Sequence, residues 1–174
     1  ANGLADTVFE GANGVLVEGL KITRSATPAN WFSADVNNQG VTVGQGLTDT
    51  TLRNNIITGN RNGLNLNNTQ GVKVLGNLIT DNRTGIQLNN NVSGLVVEGN
   101  YITNNWTMGI LFGNNSPQFA TTSITVRSNA IFGNWYGGIV NRYSGAPSLD
   151  FSGNWFGTAN PTYKVGSSTE AGYA

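Results

Sequence analysis

The chain has 174 residues, and its nine Lys or Arg and nine Asp or Glu residues give a formal net charge of zero. Charged residues make up only 10 % of the chain, against roughly 25 % in soluble domains, so a basic nucleic-acid-binding surface is not predicted. The sequence has no Cys, no His and no apolar run of about 18 residues, which excludes a disulfide scaffold, a His-based metal site and a membrane-spanning helix.

A nine-residue phrase recurs along the chain, with the form apolar-x-apolar-x-Gly/polar-Asn-x-apolar. A degenerate first copy at 15–23 has Leu20 in place of Asn, and full copies follow at 50–58, 72–80, 95–103, 124–132 and 149–157. Their asparagines lie 22, 23, 29 and 25 residues apart, at Asn55, Asn77, Asn100, Asn129 and Asn154. Because so short a unit cannot bury its own apolar face, it must stack against its neighbours.

Each copy alternates apolar and polar residues over only two or three pairs, which is the period of a β-strand. Gly, Asn, Asp and Thr clusters interrupt these runs, so three short strands joined by corners fill one repeat. Equivalent strands of successive coils then pair in parallel, about 4.8 Å apart. The sequence therefore predicts an all-β solenoid, a single-stranded parallel β-helix of about six coils with three short sheets.

The predicted interior consists of four files of equivalent residues, one residue from each coil, and every member is apolar or Thr. They are Val15, Thr50, Val72, Leu95, Ile124 and Leu149; Val17, Leu52, Val74, Val97, Val126 and Phe151; Ile22, Ile57, Ile79, Ile102, Ile131 and Phe156; and Leu64, Ile86, Ile110 and Ile139. A chance register would not produce this uniformity.

The repeated asparagines are interpreted as structural. A tight corner favours a residue that tolerates positive φ, and Asn is common there after Gly. Stacked side-chain amides can also hydrogen-bond from coil to coil, as in cross-β ladders. A second column with the same expected role lies five residues further on, at Asn60, Asn82, Asn105 and Asn134.

We expect a single domain over 1–174, with an edge or capping strand at 1–14, coils over 15–161 and a tail or linker at 162–174. Neither end shows a convincing amphipathic capping helix, and the open ends of a β-helix present free backbone donors and acceptors. This predicts either a fragment of something longer or head-to-tail self-association into a fibre.

The segments GNLIT, GNYIT and SGNWFGTANP resemble the right-handed parallel β-helix (pectate-lyase-like) repeat of secreted or surface proteins of bacteria. The resemblance extends from residue 15 to about residue 161 and implies a right-handed coil in an extracellular or cell-surface protein, of bacterial origin. It does not select a function, because the family includes pectate lyases, polygalacturonases, alginate epimerases, phage tailspikes and adhesins.

Enzymes with this fold work in a groove along the third strand. The outward residues expected there include no carboxylate: Thr42, Asn65, Gln87, Leu111 and Val140, then Gly44, Asn67, Asn89, Gly113 and Arg142. Glycoside hydrolases need two facing carboxyl groups, calcium-dependent lyases need several, and the epimerases that resemble this fold rely on a His. With nine scattered acidic residues and no His, we expect no enzyme, no catalytic residue, no metal and no cofactor.

One column suggests a binding surface, six residues beyond the corner asparagines. It consists of Arg61, Arg83, Trp106 and Trp135, with Tyr136 beside it. Exposed aromatic and arginine side chains suit the stacking and hydrogen bonding of sugar rings. The alternative is that the tryptophans only cover a corner, where the coils at Gly109 and Gly138 carry one extra residue.

Two further outward patterns stand out. Glu18 lies one coil from Arg53, and Glu98 one coil from Arg127, which is typical of cross-strand ion pairs that mark the register. An unusually apolar stripe, which could be a contact surface, consists of Lys21, Ile56, Leu78, Tyr101, Ala130 and Trp155.

The leading hypothesis at this point is a non-enzymatic extracellular structural or adhesive module, such as a surface stalk or a self-assembling fibre subunit. The alternative is a polysaccharide-binding or polysaccharide-processing β-helix domain that uses the Arg61, Arg83, Trp106, Trp135 and Tyr136 column. The expected partners are an extracellular polysaccharide or further copies of the chain, and not nucleic acid.

Overall fold

The computed structural model describes residues 6–113, 123–142 and 149–161, and these residues form a solenoid of three parallel sheets. Sheet A contains β1 (Val8–Glu10), β4 (Gln39–Val43), β7 (Asn62–Gln70), β10 (Thr84–Ser93), β13 (Met108–Phe112) and β16 (Gly137–Asn141). Sheet B contains β2 (Leu16–Glu18), β5 (Thr51–Arg53), β8 (Lys73–Leu75), β11 (Val96–Glu98) and β14 (Thr125–Arg127). Sheet C contains β3 (Lys21–Thr23), β6 (Ile56–Thr58), β9 (Leu78–Thr80), β12 (Tyr101–Thr103) and β15 (Ala130–Phe132).

Every paired strand lies one coil from its equivalent, and every pairing between these strands is parallel. The prediction of a parallel β-helix with three short sheets is therefore confirmed. No helix among the described residues is long and apolar enough to cross a membrane.

The predicted interior files are confirmed by the strand registers. Ile57 pairs with Ile79 and Ile79 with Ile102, and all three side chains are fully buried. The structure extends the fourth file upstream through Val41 to Val8. It also adds a fifth buried file that consists of Val43, Leu66, Leu88 and Phe112.

Both asparagine columns form continuous hydrogen-bonded ladders inside the corners. The Asn77 side-chain amide donates to Asn100 Oδ1 at 3.0 Å and to the Leu52 carbonyl at 2.9 Å. In the second column Asn82 Nδ2 donates to Asn105 Oδ1 at 3.2 Å. Each ladder amide satisfies backbone groups of more than one coil, so the asparagines fix how far apart and in what register the coils stack.

The ladder asparagines do not supply the positive φ of the corners, so that part of the sequence interpretation is wrong. The preceding residue does, with φ between 55° and 73° in the first column, at Asn54, Gly76, Gly99, Ser128 and Gly153. Asp81, which precedes Asn82, has a φ of 53° for the same reason. The asparagine is required for its amide, and the residue before it for its backbone conformation.

The predicted ion pairs are present on the outer face of sheet B. Arg53 Nε lies 2.8 Å from Glu18 Oε1, and Arg127 lies 3.4 Å from Glu98. The hydrogen bond from Arg53 lowers the pKa of Glu18. Both pairs are solvated and cross one coil spacing, so their role is to favour the register.

Glu10 is the exception in the interior. It pairs in register with the buried Val43, and its side chain is only 4 % exposed. Burial raises the pKa of its carboxyl group, and the nearby Thr50 hydroxyl offsets part of this effect. No described residue hydrogen-bonds either carboxylate oxygen with normal geometry. An ionised Glu10 therefore opposes folding of the first coil.

We expect Glu10→Gln to raise the free energy of unfolding at pH 7 by about 1 kcal/mol, because it removes a buried charge that lacks a good partner. A carboxyl group with a raised folded pKa destabilises the native state as pH rises above its ordinary value of 4.5. The difference between the two proteins should thus vanish near pH 4. Urea unfolding at pH 4 and pH 7 measures it, and an equal difference at both values would contradict the assignment.

Candidate functional site

The predicted Arg and Trp column lies in the corner that leads from sheet C into sheet A. Each Arg or Trp of the column directly follows an asparagine of the second ladder. Its backbone N–H donates a hydrogen bond to a backbone carbonyl of the preceding coil. Trp106 N donates to Asn82 O at 2.7 Å, and Trp135 N to Asn105 O at 3.2 Å. Arg83 N donates to Asn60 O at 2.9 Å. The asparagine ladder therefore holds these side chains in one file.

The two tryptophans form a stacked pair. Their ring centroids lie 6.4 Å apart with 18° between the planes, and the side chains of Trp106 and Trp135 are 44 % and 60 % exposed. Tyr136 continues the aromatic surface, with its ring centroid 6.4 Å from that of Trp135 at a tilt of 50°. Rings this exposed are unusual for side chains that only cover a corner, because a cover would bury them.

The extra residue expected in the last two coils is present. Met108 pairs with Gly137 ahead of the Ile110 and Ile139 pair, and the Met108 side chain is buried. Thr107 fixes this longer corner, since its hydroxyl donates to the Arg83 carbonyl at 2.7 Å. The insertion thus widens the corner that carries the two tryptophans.

Arg61 and Arg83 continue the file of the two tryptophans along the solenoid. The Arg83 guanidinium lies 5.4 Å from the centroid of the Phe32 ring. Burial lowers the pKa of Arg83, and the positive charges of Arg61 and Arg142 lower it further. The pKa of Arg142 is also lowered by burial, with an opposing effect from Tyr136. The positive charges of Arg61 and Arg142 thus act on Arg83, and positive charge at this surface favours an anionic ligand.

The outer face of sheet A begins where this column ends. The expected outward file is in register from Thr42 to Val140. Three amide hydrogen bonds cross its surface, from Asn62 to Gln87 at 2.8 Å, from Gln87 to Asn89 at 3.1 Å and from Asn89 to Asn65 at 3.1 Å. Leu111 in the same file is only 6 % exposed, although it points away from the core.

The sequence predicted the five residues of the Arg and Trp column, but it did not predict that two further residues, Arg142 and Phe32, lie near Arg83. Arg142 was placed in the groove but not joined to the other arginines, because it follows a third strand two coils away from Arg83. Phe32 lies in the irregular insertion between β3 and β4, where no repeat predicts its position. Its aromatic identity beside Trp31 was the only available signal. No group of three or more acidic side chains in the described part of the chain could hold a metal ion.

A family model described as "right handed beta helix region" matches residues 7–156. The chain belongs to this right-handed β-helix family. The predicted handedness and resemblance are thereby confirmed. A comparison with curated proteins found no match.

A solved structure with the same fold is the A-module of a mannuronan C-5 epimerase from Azotobacter vinelandii. The TM-score is 0.53 and the sequence identity 23 %, over 82 % of this β-helix protein and 42 % of that chain. The chain therefore spans less than half the length of the structure it matches. At this identity the similarity shows the fold.

The prediction that this β-helix protein is not an enzyme is contradicted by the comparison, because the similar structure is a module of an enzyme. The prediction rested on the absence of histidine and of paired carboxylates. Those groups are requirements of particular reactions and not of the fold, so their absence does not exclude catalysis by other side chains.

Proposed function

We propose that this protein is a polysaccharide-binding or polysaccharide-processing β-helix domain that acts outside the cell. Its glycan site is the Arg–Trp surface, which consists of Arg61, Arg83, Trp106, Trp135 and Tyr136. The observation that carries this proposal is the exposed, stacked Trp106 and Trp135 pair in one file with Arg83.

The chemistry of the surface matches an extended glycan. The flat faces of indole rings suit the C–H faces of sugar rings, and phenol and amide groups bind hydroxyls. Trp106 and Trp135 lie at equivalent positions of successive coils, and their ring centroids are 6.4 Å apart along the file. A polymer lying along the solenoid axis would thus contact several members of the Arg–Trp surface.

The arginines favour an acidic polysaccharide over a neutral one. Guanidinium groups pair with carboxylates through two parallel hydrogen bonds, and positive charges act on Arg83 from Arg61 and Arg142. The similar structure is named for its action on mannuronan, which makes this polymer the first ligand to test. The amides at Gln87 and Asn65 extend the polar surface onto sheet A.

We expect Trp135→Ala to weaken binding of mannuronan at least tenfold, because it removes the more exposed half of the stacked pair. Affinity gel electrophoresis in gels containing the polymer measures this. Trp155→Ala is the matched control, since Trp155 is 52 % exposed but lies beyond sheet C and outside the Arg–Trp surface. Equal retardation of Trp135→Ala and wild type would contradict the proposal.

Binding and processing are separated by incubating the protein with mannuronan and recording the ¹H NMR spectrum of the polymer. New anomeric signals or unsaturated ends that need an intact Arg–Trp surface indicate processing. An unchanged spectrum, together with retardation in the gel, indicates a binding domain.

A further inference from the structure

The outer face of sheet C carries a groove around Ala130, on a different side of the solenoid from sheet A. Tyr101 pairs in register with Ala130, and Ala130 forms a parallel bridge with Trp155. The small Ala130 side chain therefore lies between two aromatic side chains in one file. Tyr101 is 61 % exposed and Trp155 is 52 % exposed. The groove is open to solvent and encloses a volume of about 600 Å³.

The distance between Tyr101 and Trp155 limits how thick a ligand can be if it is to lie between them. They start two strand spacings apart, which is about 9.5 Å. A pyranose ring in carbon–carbon contact of 3.5–4.0 Å on both of its faces needs about 7–8 Å between flanking groups, so the interval has room for one ring. Further up the same file, Ile56 and Leu78 occupy the outward positions of successive coils. Because the small Ala130 lies between Tyr101 and Trp155, the file has a notch at Ala130. A file with a large side chain in every coil would have no such notch.

The lining of the groove is polar in places but carries no charge. Besides the two aromatic residues and Ala130, it includes Ser128 and Phe132 together with glycine and asparagine. The Ser128 hydroxyl, the Tyr101 phenol and the Trp155 indole N–H suit the hydroxyl groups of a sugar. A neutral lining does not compensate a carboxylate, so it contrasts with the arginine-rich Arg–Trp surface.

We propose that this groove, the Ala130 groove, binds a neutral pyranose ring between Tyr101 and Trp155, as a second carbohydrate site of the protein. None of the residues that line it belongs to the Arg–Trp surface, so the inference does not rest on the function proposed above. A sugar fits better than a second copy of the chain, because the notch is one residue wide and breaks the apolar stripe where a protein contact would need it continuous.

The test uses neutral oligosaccharides as probes, namely the hexamers of β-1,4-glucose, β-1,4-xylose and β-1,4-mannose, with isothermal titration calorimetry on the full chain. Wild type should bind at least one of them. Ala130→Leu keeps both aromatic residues but fills the notch, so it should weaken that binding at least tenfold, and Trp155→Ala should do the same. Ile56→Ala is the control in the same outward file and should bind as wild type does.

Two results would overturn the proposal. One is no binding of any of the three hexamers by wild type, and the other is binding that Ala130→Leu and Trp155→Ala leave unchanged. Sedimentation velocity on the same variants tests the competing interpretation, in which the groove is a contact between two copies of the chain. That interpretation would hold if wild type formed a concentration-dependent dimer and only Ala130→Leu and Trp155→Ala altered it. Because Trp135→Ala leaves the Ala130 groove intact, its effect on mannuronan binding tests the Arg–Trp surface alone.

Discussion

Replacing Asn77 by Ala is expected to lower the free energy of unfolding by about 3–5 kcal/mol. The Asn77 side-chain oxygen Oδ1 accepts from the backbone N–H of Asn55 at 2.9 Å and from the Asn55 side-chain amide at 3.0 Å. The Asn77 amide donates to the Leu52 carbonyl and to Asn100. Truncation leaves several of these buried groups without a partner, in a corner that water does not reach.

The position of Asn77 in the middle of the solenoid enlarges the effect, because each coil contacts only its neighbours and a defect there separates two halves. Guanidinium unfolding followed by circular dichroism measures the loss. Asn91→Ala is the control, since Asn91 is exposed in β10 and outside both ladders, and it should change stability by less than about 0.5 kcal/mol. If both substitutions cost the same, the ladder has no special role.

Gly63→Ala should destabilise the fold by about 3 kcal/mol, through crowding between neighbouring coils. A Cβ atom on Gly63 would lie 2.6 Å from the carbonyl oxygen of Gly85 in the next coil. Backbone on both sides of this contact belongs to paired strands, so neither side can move without breaking hydrogen bonds. The same contact recurs down sheet A, in a column of Gly40, Gly63, Gly85, Gly109 and Gly138.

Gly138→Ala is a control within the same column. The nearest described atom to its Cβ would be the Ile131 Cγ2 methyl at 3.3 Å, and no carbonyl of a following coil lies within 3.0 Å. We expect a change of less than about 1 kcal/mol there, because a side-chain methyl can adjust. Thermal unfolding of both variants measures the contrast. A Gly63→Ala protein as stable as Gly138→Ala would show that the coils can separate without cost.

Much of the fold could be predicted because repetition exposes it. The Ile57, Ile79 and Ile102 file and the asparagine columns follow directly from aligning copies of one phrase. Features that depend on the distance between the backbones of neighbouring coils could not be predicted from the sequence. The contact at Gly63 and the positive φ before each ladder asparagine are set by backbone geometry, which the spacing of apolar residues does not report.

The candidate site was predictable only where it shares the repeat. Trp106 and Trp135 lie at equivalent positions, so their proximity could be inferred from the sequence. Phe32 reaches Arg83 from an insertion outside the repeat. Glu10 enters the interior through a strand that none of the six copies covers, and its burial could be recognised only from the pairing of β1 with β4.

The most direct test of the Arg–Trp surface is the indole N–H region of a ¹⁵N NMR spectrum during titration with an oligomannuronate. The chain has four tryptophans, so four signals report on the buried Trp31, the exposed pair Trp106 and Trp135, and Trp155 in the Ala130 groove. Our account predicts that the signals of Trp106 and Trp135 shift together and saturate, while that of Trp155 stays in place. A spectrum in which neither signal of the stacked pair moves at saturating ligand would contradict it.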